Sequence, residues 1–109
     1  MPVMVSIPQT PVSIESEKAL LGSLIIDSQS WEKISNIITP NDFYDLRNKD
    51  IFSEIYNLQI NDQPLDILIL EETLKSHDKL SKVGGLEYLK DLAKTVPTSA
   101  HIVKYAEMV

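Results

Sequence analysis

The chain has 109 residues, 43% of them hydrophobic, with no cysteine and a net charge of −6. That length supports one domain burying about two thirds of its unfolded surface, and without cysteine neither disulfides nor thiolate metal sites can hold it together. Apolar runs of about half a dozen residues fall far short of the ~20 that a membrane helix needs, and no basic segment with a hydrophobic stretch opens the chain, so a soluble, cytoplasmic protein with no membrane partner is expected.

Charge is laid out unevenly. Residues 1–74 hold four cations against twelve acids, whereas residues 75–109 hold six lysines against four acids. An acidic surface repels phosphate, which argues against autonomous nucleic-acid binding. Lys75, Lys79 and Lys82 form a local basic cluster suited to a helix C-terminus.

Residues 1–12 carry Pro2, Pro8 and Pro11 with little periodicity and are expected to form an extended or disordered arm. Ser13 then caps a helix over Ile14–Ile26, with Glu15 and Glu17 at its positive end and Ile14, Leu21, Leu24 and Ile25 on one face. Ala19 and Gly22 lie three apart, and a small pair inside a soluble helix predicts close approach by another backbone, in this chain or another. Asp27 and Ser28 cap a shorter helix carrying Trp31, Ile34, Ile37 and Ile38, which must stop before Pro40. Thr39, Pro40 and Asp42 have the spacing of a capping box. Phe43 and Tyr44 are adjacent and point apart, one into the core and one nearer the surface.

The spacing of Ile51, Phe52, Ile55, Tyr56 and Leu58 predicts a helix from Arg47 to Asn61, with apolar positions spread so widely that it should sit centrally, packed on more than one side. Asp66 caps the next element. Leu65–Leu70 is apolar enough for a buried strand, but nothing of comparable quality exists to pair with it, and the pattern continues through Leu74, so a helix over Ile67–His77 is predicted. Gly84 and Gly85 break the chain before a fifth helix with a stripe of Leu86, Leu89, Leu92, Ala93 and Val96, ending at Pro97. Thr98 or Ser99 caps a last helix carrying Ile102, Val103, Tyr105, Ala106 and Val109, which still runs where the sequence stops. The expected fold is all-α: a compact orthogonal bundle of about six short helices with no sheet, the globular head over residues 13–97 and a further helix beginning at 98–109.

No chemistry is legible in these residues. The only glycines are Gly22, Gly84 and Gly85, so no phosphate-binding loop is present, and the serines sit near helix starts where capping explains them. His77 and His101 have no metal-ligand partner at a recognised spacing, and Asp42 and Asp45 lack the glycine and terminal Glu of a calcium loop. Neither a catalytic nor a cofactor nor a metal site is predicted in this chain, which leaves an interaction module.

The order of several fragments resembles a known family. Ser13-Ile14-Glu15-Ser16-Glu17-Lys18-Ala19-Leu20-Leu21-Gly22 is similar to the opening helix of the N-terminal domain of DnaB-type replicative DNA helicases. Asp42-Phe43-Tyr44, Ile51-Phe52, Pro64-Leu65-Asp66, Leu80 with Val83-Gly84-Gly85, Tyr88-Leu89, Val96-Pro97-Thr98 and Tyr105-Ala106 follow in the family's order. Ser16 and Lys18 depart from the family's Ala and Gln, both as conservative surface changes.

The resemblance implies a collar domain of a bacterial or phage helicase, with the ATP- and Mg2+-dependent 5′–3′ unwinding motor in a downstream RecA-like domain. It implies homodimer contacts building a trimer of dimers in the homohexamer, docking of primase and in some systems of the helicase loader, and contact with DNA through the parent protein. It also implies that residues 98–109 begin a helical hairpin. Lacking the second helix, Ile102, Tyr105 and Val109 are expected to expose an apolar, partner-binding side, and this chain alone is not expected to form the hexamer. Tyr88, turned away from the stripe of the fifth helix, and Glu15, exposed in the first turn, are the two further candidate partner contacts. The alternatives are a stand-alone helical adaptor, or a DNA-binding regulator, for which the acidic balance is wrong.

Overall fold

The structure, a computed structural model, describes residues 13–109, so the expected arm over residues 1–12 lies outside the described residues. Six helices follow one another with no strand among the described residues: α1 (Ile14–Ile26), α2 (Trp31–Ile34), α3 (Leu46–Ile60), α4 (Ile67–Ser76), α5 (Gly85–Ala93) and α6 (Ile102–Met108). Side-chain capping sets three of these six starts, those of α1, α3 and α4. Ser13 Oγ accepts the Ser16 amide at 3.2 Å, Asp45 Oδ1 accepts the amides of Arg47 and Asn48 at 2.9 and 3.1 Å, and Asp66 Oδ1 accepts that of Ile69 at 2.8 Å. Each satisfies an amide that a helix start leaves without a partner.

Some boundaries differ from expectation. α2 is only four residues long; Ile37 lies in the turn that follows, and Ile38 leads into Thr39, whose backbone is extended as the residue before Pro40 must be. Thr39 and Asp42 do form the capping box on a short 3-10 turn over Pro40–Asp42. α5 unwinds at Lys94, three residues before Pro97, although Val96 remains buried. Neither Thr98 nor Ser99 caps α6. Thr98 Oγ1 accepts the Ala100 amide, while Ser99 Oγ donates to Asp27 Oδ2 at 2.8 Å and ties the approach to α6 onto the end of α1.

The hub is α1 rather than α3. Nine of its thirteen residues are buried, from Ser16 to Ile25, and it packs on α5, α6 and α3. α3 buries Asn48, Ile51, Phe52, Glu54 and Ile55, leaving much of its opposite side polar, and packs on α1 and α4. Its Phe52 anchors an aromatic cluster, with ring centroids 4.7 Å from Phe43 and 5.8 Å from Trp31. The small-residue signal in α1 has its partner in the same chain: a methyl group on Gly22 would stand 2.1 Å from the Leu92 carbonyl oxygen of α5. Gly84 and Gly85 turn the chain into α5 with φ of +104° and +71°, the left-handed region that glycine enters without penalty.

Candidate protein-interaction site

The densest polar construction lies where α1, α3 and α5 meet. Glu17, expected only to complement the helix dipole, is buried, and its carboxylate accepts three hydrogen bonds: from the Tyr44 amide at 2.6 Å, the Asp45 amide at 3.3 Å and Asn48 Nδ2 at 3.0 Å. A buried carboxylate is tolerable when donors replace its water in this way. Asn48 is itself buried and uses its other end, Oδ1, to accept the Tyr88 hydroxyl. Burial pushes the Tyr88 phenol above its ordinary 10.0, with the Arg47 cation opposing it. The Arg47 guanidinium lies 4.3 Å from the Tyr88 ring centroid, and its Nε is 3.6 Å from Asp45 Oδ1.

Tyr88 is therefore a buried pin between α5 and α3, not a side chain turned to solvent. The expected stripe on α5 is rotated: Tyr88, Leu89 and Leu92 are buried while Leu86 is only half-buried. Helical periodicity could not choose between the two faces, because Asn48, which satisfies the hydroxyl, is 40 residues away in sequence. Ile102 is likewise fully buried against the core, contrary to the expected exposed face; α1 and α2 cover α6 on that side. Tyr105 and Val109 are half-buried and Met108 is half exposed, so the outer side of α6 carries what apolar surface this helix shows. Glu15 is exposed as expected.

Around the Glu17 clamp the chain alternates. Phe43 and Asp45 have extended backbone, which sends successive side chains to opposite sides. Phe43 enters the core, whereas Tyr44 is 70% and Leu46 75% exposed. Two large apolar side chains are thus held out to solvent on either side of Asp45, where the Tyr44 and Asp45 amides bond the buried Glu17 carboxylate. Composition does mark Tyr44 as a residue that could be exposed, but nothing local signals that Leu46 is.

A second clamp joins α3 to the connector after α4. Glu54, also buried, has His77 Nδ1 at 3.0 Å and Lys79 Nζ at 3.3 Å, so one member of the lysine cluster is spent internally while Lys75 and Lys82 remain exposed. None of these groups makes a nucleophile and base pair or a phosphate cradle. The arrangement braces the helices against one another.

The family model described as DnaB-like helicase N terminal domain matches residues 9–109. The chain belongs to that family. It is 39% identical over 101 residues to the replicative DNA helicase DnaB of Buchnera aphidicola subsp. Baizongia pistaciae, covering 93% of this chain and 22% of that protein. It is 36% identical over 105 residues to the replicative DNA helicase DnaB of Haemophilus influenzae, covering 96% and 22%. Among solved structures, the N-terminal domain of DnaB helicase from Mycobacterium tuberculosis superposes with a TM-score of 0.87 at 27% identity, over 92% of this chain and 69% of that one. This DnaB-type domain therefore spans about a fifth of the length of the curated relatives it matches.

Proposed function

We propose that this domain is the non-catalytic collar of a replicative DNA helicase, serving as the surface on which subunits assemble and on which primase, and in some systems the helicase loader, docks. The observation that carries this is the family match over residues 9–109, in a chain whose buried Glu17, Asn48 and Tyr88 brace its helices. Unwinding of duplex DNA, with its ATP and Mg2+, would then belong to a downstream RecA-like domain of the parent protein, and DNA would be met there rather than here, in keeping with the net charge of −6.

Residues 98–109 fit the start of a helical hairpin. Of the candidate partner contacts, Glu15, Tyr105 and Val109 offer accessible surface. Tyr88 and Ile102 would contribute by holding the shape of the head. The test is removal of this domain from the parent helicase. DNA-stimulated ATP hydrolysis should survive in the motor while primase binding, followed by fluorescence anisotropy, is lost; primase binding that persists undiminished would refute the docking role.

A further inference from the structure

We infer that the Tyr44–Leu46 knuckle at the start of α3 is the surface through which this domain meets a second copy of itself. This rests on the self-assembly proposed above and says where that contact lies.

Two apolar patches stand out on the described surface, and the charges beside them differ. Tyr44 and Leu46 are flanked by the acids Asp42, Asp45 and Asp50 and by the cations Arg47 and Lys49, so the charges around the knuckle nearly balance, at a net −1. Ile60 and Leu68, 56% and 65% exposed, flank the turn between α3 and α4, where Asp62, Asp66, Glu71 and Glu72 are the only charges nearby in sequence. In a chain of net charge −6, two copies approaching through an acid-rimmed patch repel one another. Two copies meeting through the mixed-charge knuckle face far less repulsion. A two-fold contact also needs a self-complementary patch, and one that carries both signs beside an apolar pair provides it: Asp42 of one copy can face Arg47 of the other while Tyr44 and Leu46 pack across the axis.

The knuckle is also preorganised. Glu17 fixes the amides of Tyr44 and Asp45, Asp45 caps α3, and Arg47 is already stacked on Tyr88 and placed near Asp45. The backbone under the knuckle therefore has little conformational entropy left to lose on association. Tyr and Arg beside an aliphatic anchor are, moreover, residue types that concentrate binding energy in interfaces.

The test is sedimentation equilibrium of the 109-residue chain and two variants, Tyr44→Ser with Leu46→Ser, and Ile60→Ser with Leu68→Ser. All four positions are exposed, and unchanged far-UV circular dichroism and thermal midpoint would verify the fold of each variant. The wild-type chain is expected to self-associate, with the knuckle variant weakened by roughly tenfold or more and the second variant unaffected. Association that ignores the knuckle, or that is weakened only by the Ile60/Leu68 pair, overturns the assignment of the surface and leaves self-assembly standing. A wild-type chain that stays monomeric at millimolar concentration overturns both.

Discussion

Replacing Gly22 by alanine tests the packing of α1 against α5 directly. The new methyl would stand 2.1 Å from the Leu92 carbonyl oxygen and 3.1 Å from the carbonyl carbon, and because both atoms are backbone no rotamer change relieves the clash. Contact is bearable only beyond about 3 Å, so α1 and α5 must separate by about 1 Å. A gap of that size forfeits up to about half of each interhelical well of 0.1–0.2 kcal/mol, and over roughly 40 pairs, as many as one buried leucine makes, the loss is about 3 kcal/mol. Alanine returns about 1 kcal/mol through its helix propensity. The net expectation is a loss of about 2 kcal/mol, or a fall of roughly 10 °C in Tm. Urea unfolding followed by the fluorescence of the only tryptophan, Trp31, which lies against Phe52, reads this directly. If Gly22→Ala is instead stabilised by the propensity gain alone, the close approach of these two helices is wrong.

Three further outcomes follow from the same contacts. Glu17→Ala strands the amides of Tyr44 and Asp45 and the side chain of Asn48, and should cost about 3 kcal/mol in chemical denaturation; a loss below about 1 kcal/mol would mean the clamp is not formed in solution. Ile55→Ala, at a fully buried position, should cost about 2–5 kcal/mol, and a denaturation midpoint that does not move would place α3 outside the core. The Tyr88 proton is held more tightly in the folded than in the unfolded chain, so its contribution is complete below the unfolded value of about 10 and is lost as pH rises through the higher folded value. Unfolding free energy measured between pH 9 and 11 should therefore fall at the alkaline end, and fall less in Tyr88→Phe; equal slopes would refute the buried phenol.

Much of the architecture is local. Ser13, the Thr39–Asp42 box and Asp66 each cap from within three residues, and Pro40 and the glycines at 84 and 85 break the chain by their own backbone limits. These signals placed α1 and α4 almost to the residue, and excluded a strand at Leu65–Leu70 for want of a partner. The Ala19–Gly22 spacing announced a close neighbour without saying which. The order of family fragments along the chain carried the identity of the domain, and the match over residues 9–109 bears it out.

What only the tertiary structure decided is which polar groups meet across long stretches of chain. Glu17 reaches Asn48 over 31 residues and Asn48 reaches Tyr88 over 40, and it is this relay that turns Tyr88 inward. Glu54 reaches His77 over 23. Periodicity assigns a polar or amphipathic side chain to solvent because desolvation without a partner is costly, and the partner is invisible until the helices are docked. Leu46 is left in water beside the same clamp, between a residue bonded to Glu17 and one capped by Asp45, a placement that no hydrophobic pattern records. Local capping fixes where α1 and α4 begin. Docking fixes which face of each helix the molecule keeps.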